Sequence, residues 1–294
     1  MSVRIVTDST GDLPLSYIKE HGLTVLSFPV TIGGKEYLVG PDENAPGCIA
    51  TEEFYGLIAQ GERATTAQIP LETYLKTFRS ALEQGEDVLY LCFSSGLTGT
   101  MNSARLAAQE LAERFPEGKV LFVDTKCASL GEGLIVQKTL EKMESEGGTV
   151  EELAAYAEGL VQKMKLWFTV NDLHYLAKGG RLSGSAAFVG SLLSVKPVMD
   201  MSAEGKLVPR EKIQGRKKAL KVIADKYLAQ GDPAKQPLYI AYAGCEEDAL
   251  FIKRYVEEKG GRVGMMTQVT PVIVSHTGLG VIAVCYFSDE PRNP

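Results

Sequence analysis

Four hydroxyl side chains, Ser94, Ser95, Thr98 and Thr100, are packed around Gly96 and Gly99 within seven residues. Such a cluster can hold an anion by hydrogen bonds, and the glycines let backbone come close to a ligand. The segment carries no lysine or arginine, which a phosphate-binding loop usually recruits, so a monoanion such as a carboxylate is the better match. The flanking sequence says how the cluster is held. Val88 to Phe93 is an apolar run that reads as a buried parallel strand, and Ser103 to Ala108 opens an Ala- and Leu-rich helix. The cluster is then a strand-to-helix turn, where main-chain N–H groups and the helix dipole add to its affinity for anions. Taken one at a time the hydroxyls read as helix caps or turn residues; together they point to binding.

Two further polar segments have the same setting. Arg63 to Pro70 contains Thr65 and Thr66 and precedes a helix, and Thr125 to Gly133 follows the strand-like Val120 to Asp124. In an open α/β sheet such turns gather at the carboxyl ends of the strands, where ligands bind. His276 lies in Ser275-His276-Thr277-Gly278, expected as a glycine-bearing turn between two late apolar runs. Asp8 and Asp12 are expected as capping residues. Lys178 and Arg181 flank Gly179-Gly180, and Arg216, Lys217 and Lys218 open a basic helix that is either a solvated face or a docking surface for an acidic partner.

The whole-chain properties narrow the classes. With 294 residues, 45% hydrophobic and 23% charged, the chain is long enough for two ordinary domains. A formal net charge of −6 argues against nucleic-acid binding. Five scattered cysteines without a Cys-x-x-Cys pair indicate reduced thiols, and three well-separated histidines give no support to a metal site. No signal-peptide-like opening and no membrane-length apolar window is present, so a cytoplasmic protein is expected.

Along the chain, Val3 to Thr7 is a strand leading through Asp8-Ser9-Thr10-Gly11-Asp12 to a helix that ends near Gly22. Thr24 to Ile32 reads as one strand, with Gly33-Gly34 turning it into a hairpin. Thr51 is expected to cap a helix, and Thr149 with Glu152 has the spacing of a capping box. The helix it starts is expected to reach about Lys165, with a strand at Trp167 to Val170 and a domain boundary just before it. Further on, an apolar helix is expected over 185–193, a hairpin over 195–214, and a strand-rich end. The fold class is thus α/β with two α/β domains: a Rossmann-like N-terminal domain (1–165) with a mainly parallel sheet, and a C-terminal domain (166–294), the ligand lying between them.

The chain resembles the DegV family of bacterial fatty-acid-binding proteins over essentially its whole length. The resemblance rests on Asp8 to Leu13, Thr66-Ala67-Gln68, Ser94 to Thr100, Asp124-Thr125-Lys126 with Ser129 and Gly131, Leu176 to Ser183, Lys196-Pro197, and Ser275 to Gly278. It implies a single long-chain fatty acid buried between the domains, its carboxylate held by Thr66, by Ser94 or Ser95, and by His276, with Gly96, Thr98 and Gly99 supporting the anion loop. It further implies that the lipid is presented to a separate ATP-using fatty acid kinase subunit that makes the acyl phosphate, with transient membrane contact for lipid exchange. No cofactor of the chain's own is implied. Lys178 and Arg181 would neutralise the phosphate, and Arg210, Arg216, Lys217 and Lys218 would dock the kinase. Ala67 stands where the family usually has serine, Thr98 where it often does, and the loop from Tyr37 to Thr51 is slightly long. Burying about fourteen methylenes at about 0.8 kcal/mol each would supply roughly 11 kcal/mol before association costs.

Two other classes are weighed against it. A serine hydrolase would use Ser94 or Ser95 as nucleophile, His276 as base and Asp8 or Asp124 as orienter, but the Gly-x-Ser-x-Gly elbow is missing. A nucleotide- or phosphate-sensing regulator rests on the α/β pattern alone.

Overall fold

The computed structural model describes residues 2–182 and 195–294; the helix expected over 185–193 lies outside them. The chain opens with β1 (Ser2–Asp8), α1 (Leu15–Glu20) and β2 (Thr24–Leu26), then enters a hairpin of β3 (Phe28–Ile32) and β4 (Lys35–Val39). The expected single strand from Thr24 to Ile32 is therefore two. β2 pairs parallel with β1, whereas β3 pairs antiparallel with β4 and belongs to a different sheet, so the chain changes sheets at Ser27. After α2 (Thr51–Ala59), the two-residue β5 (Thr65–Thr66) adds to the other edge of β3. Thr51 is the first residue of α2 rather than its cap, and its hydroxyl donates to the Glu43 carboxylate.

α3 (Leu71–Glu83), β6 (Glu86–Cys92), α4 (Thr100–Ala112), β7 (Val120–Asp124) and α5 (Ser129–Glu146) complete a doubly wound unit. Its sheet is wholly parallel among the described residues, in the order β2-β1-β6-β7. β6 is apolar and buried along nearly its whole length, as a strand covered by helices on both faces must be. α6 (Val150–Val161) starts with the expected capping box: Glu152 N–H donates to Thr149 Oγ1 (3.2 Å) and Thr149 N–H to Glu152 Oε2 (2.8 Å). It ends before Lys165, because β8 (Met164–Thr169) already runs from Met164.

β8 begins the second sheet. After α7 (Leu173–Lys178) come the hairpin strands β9 (Val195–Met201) and β10 (Leu207–Gln214), α8 (Arg216–Gln230), β11 (Leu238–Tyr242), α9 (Glu246–Glu258), β12 (Val263–Gln268), α10 (Pro271–Thr277) and β13 (Ile282–Phe287). The order is β10-β9-β8-β13-β11-β12, antiparallel except for β11 with β12. The expected boundary at 165/166 falls inside β8. Alternation along the strands divides the sheet's faces. Trp167, Ile282, Val284 and Tyr286 pack outward with Leu220, Ile223 and Ile252 of α8 and α9, while Leu166, Phe168, Ala283 and Cys285 turn toward the N-terminal domain. The inner face joins the N-terminal core in one apolar cluster.

The end of the chain is less strand-rich than expected. Residues 271–277 form α10, with Pro271 in its first turn and Gly278 just beyond it at φ 72°. His276 therefore sits on a helix and not in a turn. None of the helices of the described residues is long and apolar enough to cross a membrane.

Candidate functional site

A cavity of about 460 Å³ lies between the carboxyl ends of the parallel strands and the inner face of the second sheet. Phe28 of the β3–β4 hairpin, Phe93 after β6, and Leu166, Phe168, Met201 and Leu207 of the second sheet supply apolar walls, and α10 adds Val272 and Ile273. Set among these are Thr66, Gln68, Ser95, Thr98, Arg181 and His276. An apolar hollow with a few convergent polar groups is the usual form of a small-ligand site.

Thr66 is fixed by pairing with Val30 across β5 and β3. Its Oγ1 lies 2.9 Å from His276 Nε2, and His276 Nδ1 lies 3.2 Å from the Gly179 carbonyl oxygen. A carbonyl only accepts, so Nδ1 carries the proton, Nε2 is the acceptor, and Thr66 donates to it. Burial and then the neighbouring Arg181 charge push the imidazole down to about 4, against the opposing pull of the Gly179 carbonyl. Arg181 is placed by the same carbonyl, to which its Nη1 donates at 2.8 Å. Gly179 comes this close because it has no side chain: an added Cβ would lie 2.9 Å from the His276 carbonyl oxygen.

The two serines have separate tasks. Ser94 is buried, and its hydroxyl donates to the Gly205 carbonyl (2.7 Å) in the turn between β9 and β10. Ser95 lines the cavity; its hydroxyl donates to Asp124, which also accepts from the Ser95 backbone N–H at 3.2 Å and pairs with Lys126 at 2.9 Å. Burial of Asp124 opposes its ionisation, but these hydrogen bonds outweigh it and hold the carboxyl below the usual range. Gly96 makes a close approach to another part of the chain: a Cβ there would stand 2.5 Å from the Gly205 carbonyl oxygen. Gly99 lines the cavity, where a Cβ would meet Gln68 Nε2 at 2.9 Å, and the Thr98 hydroxyl accepts from the Thr100 N–H at 3.3 Å.

The predicted basic groups fall into two sets. Lys178 and Lys217 are exposed. Arg210 instead donates to Asp200 (2.8 Å) and to the Pro294 carbonyl (2.7 Å), and Arg216 to Asp248 (2.8 Å) and the Gly280 carbonyl (2.8 Å). Both arginines hold the second domain together.

Asp8 and Asp12 do more than cap. Asp8 is buried and accepts from Thr10 Oγ1 (2.6 Å), Tyr90 OH (3.0 Å) and the Phe93 N–H (3.2 Å). Thr10 Oγ1 also lies 2.7 Å from Glu132 Oε2. With one proton it can serve only one carboxylate, and burial followed by the Asp8 charge pushes Glu132 well up, so Glu132 is the protonated partner. Asp12 joins three segments: it accepts from the Ser129 hydroxyl and the Thr270 N–H (2.7 Å), and its own carbonyl accepts from Thr267 Oγ1 (3.1 Å). Gln68, Ser129 and Glu132 are not among the expected site residues; Gln68 and Ser129 belong to the motifs that carry the family resemblance, whereas nothing local marks Glu132. Among the described residues no group of three or more His, Cys, Asp and Glu side chains is placed to hold a metal.

A hydrolase arrangement is not assembled by these contacts. His276 Nε2 faces Thr66, Ser95 donates straight to Asp124, and Asp8 is bonded to Thr10 and Tyr90.

Two α/β units that enclose an apolar cavity, with hydroxyls and a neutral histidine on its wall, define a small-ligand-binding protein of the α/β class. The chain belongs to the DegV family, whose pattern, described as that of uncharacterised proteins, matches residues 2–289. A DegV domain-containing protein of Lactococcus lactis is 36% identical over 99% of this chain and 100% of its own length. Among solved structures, a DegV family protein of Thermus thermophilus described by its fatty acid binding is 33% identical, with a TM-score of 0.86 over 98% of this chain and 100% of its own. A stearic acid-binding protein of Eubacterium ventriosum is 26% identical, with a TM-score of 0.86 over 98% of both chains.

Proposed function

We propose that this chain binds one long-chain fatty acid between its domains and presents it to a separate ATP-dependent fatty acid kinase subunit. The observation that carries the reading is the apolar cavity with the Thr66–His276 pair on its wall. The acyl chain lies along Phe28, Phe93, Leu166 and Phe168, and its burial provides most of the affinity. Its carboxylate is held by Thr66, Ser95 and His276, with Arg181 supplying the balancing charge. Ser94 serves the site through the Gly205 contact. Arg181 at the cavity and Lys178 at the surface neutralise phosphate on the acyl group in this reading, and Lys217 belongs to the docking face. Exchange of lipid takes place in transient contact with a membrane.

The test is mass spectrometry of the purified protein, native and after organic extraction. A near-stoichiometric C14–C20 fatty acid, lost when Thr66→Ala and Ser95→Ala are combined, is the expected result. A protein that is empty and takes up no added fatty acid would overturn the binding reading. Loaded protein that yields no acyl phosphate with a DegV-dependent kinase subunit and ATP would overturn the presentation reading alone.

A further inference from the structure

At the Thr66–His276 pair, the wall that should receive a carboxylate offers it lone pairs. The Gly179 carbonyl fixes the Nδ1–H form of His276, Nε2 then takes the one proton of the Thr66 hydroxyl, and that hydroxyl is left with only acceptor capacity toward the cavity. A carboxylate is itself acceptor-only. If the Thr66 hydroxyl merely rotated toward it, Nε2 and Thr66 Oγ1 would be left as two facing acceptors at 2.9 Å in a buried site, a costly arrangement.

One added proton resolves every contact of this pair. With His276 as imidazolium, Nδ1–H donates to Gly179, Nε2–H donates to Thr66 Oγ1, and Thr66 O–H is free to donate to the carboxylate. We infer that fatty acid binds with net uptake of one proton, carried by His276 in the complex; the inference rests on the fatty-acid reading above. Neutral His276, one carboxylate and one proton become an imidazolium–carboxylate pair linked through Thr66, with no bond made or broken other than to hydrogen.

The surroundings agree. Arg181, whose Nη1 shares the Gly179 carbonyl, is the charge that acts against protonation of His276, and a carboxylate beside it offsets that effect. α10 is packed by α7, α2, β3 and β5. α7 carries His174, Tyr175 and Lys178 in its sequence, and α2 carries Glu52, Glu53 and Tyr55; β3 and β5 carry no ionisable residue. Tyr55 is already donating to the Val269 carbonyl at 2.5 Å, and Arg63 lies within electrostatic reach of Tyr175. The imidazole is held down to about 4, which leaves it neutral at working pH and able to take up the proton.

The experiment is calorimetric titration of delipidated protein with laurate, short enough to remain monomeric and ionised, in two buffers of different ionisation enthalpy between pH 5.5 and 8. The expected result is uptake approaching one proton per laurate at the acid end. Affinity should fall about tenfold per pH unit while uptake persists, then level off above the His276 pKa of the complex. Absence of binding heat would count against the fatty-acid reading itself, whereas binding with no proton uptake across this range would overturn the inference alone. The site of the proton is read by NMR on the wild-type protein, which has only three histidines. One imidazole should be neutral throughout in the empty protein and become protonated with laurate. If no imidazole changes state while a proton is still taken up, the proton is on the ligand and the assignment to His276 is wrong.

Discussion

Gly96→Ala should pull the two domains apart at the loop expected to hold the ligand. A methyl group at residue 96 would lie 2.5 Å from the Gly205 carbonyl oxygen, 2.9 Å from its carbon and 3.0 Å from the Glu204 oxygen, all backbone atoms. Ordinary contact begins near 3.4 Å, so the turn between β9 and β10 must retreat by about 0.9 Å. The Ser94–Gly205 hydrogen bond, 2.7 Å long, would then stretch to about 3.6 Å and cease to be one. Overpacking costs about 1–3 kcal/mol and the lost bond about 0.5–1.5 kcal/mol, so roughly 2–4 kcal/mol is expected. Met201 and Leu207 line the cavity from the strands joined by this turn, so bound fatty acid should also leave faster. Thermal unfolding and fatty-acid release of delipidated and reloaded protein measure both effects. Gly159→Ala is the control, because Gly159 lies within α6 with nothing inside 4 Å of an added Cβ. If the Gly96 variant melts with this control and releases lipid at the wild-type rate, the reasoning fails.

Asp12 gives a pH dependence of definite sign. Burial pushes its carboxyl up to about 7, so between the unfolded value near 4 and that point the folded state holds a proton that the unfolded chain has lost. Stability from this group is full below pH 4, declines as pH rises to about 7 and is flat above; urea unfolding should show Asp12→Asn gaining roughly 2–4 kcal/mol on wild type from pH 4.5 to 7.5, and parallel curves would refute it. Thr66→Val keeps the shape but removes the donor to the carboxylate, and a charge-assisted bond of about 1.5–3 kcal/mol predicts roughly 10- to 100-fold weaker fatty-acid binding by calorimetry. Arg216→Ala leaves Asp248 and the Gly280 carbonyl unpaired and should cost about 1–3 kcal/mol of stability. Lys217→Glu should instead stay within about 0.5 kcal/mol of wild type and lower acyl phosphate formation with the kinase subunit; equal melting losses would show that the two residues share one role.

What the sequence made legible was local. The strand, turn and helix from Val88 to Ala108, the hairpins at 28–39 and 195–214, and the capping box at Thr149 all depend on neighbours within a few residues. The split at Ser27 does not: both halves are β-rich, and only the partners tell them apart. α10 was hidden by the β-branched Val272, Ile273 and Val274, although Pro271 and Gly278 are ordinary start and stop signals. Arg210 and Arg216 looked like surface charge because their acceptors lie elsewhere in the chain. The pairing of Thr66 with His276, 210 positions apart, has no local signature, and only the family resemblance placed the two together.

The double serine explains why lipid and domain cohesion must be measured together. Adjacent residues of one strand-to-helix turn send their side chains to opposite duties, Ser94 to the β9–β10 turn of the second domain and Ser95 to the cavity and Asp124. Neither domain alone forms the cavity, since Phe93 and Ser95 come from one and Phe168 and Met201 from the other. A fatty acid that spans them binds the closed arrangement and not the separated one, and at 100 times its dissociation constant it adds about 2.7 kcal/mol to that arrangement. This is as large as the cost estimated for a methyl group at residue 96. Saturating lipid should therefore raise the melting curves of wild type and Gly96→Ala alike, lifting the loaded variant to about the level of delipidated wild type without closing the difference between the two loaded proteins, and the rise in wild type measures how much of the interdomain cohesion the ligand itself provides.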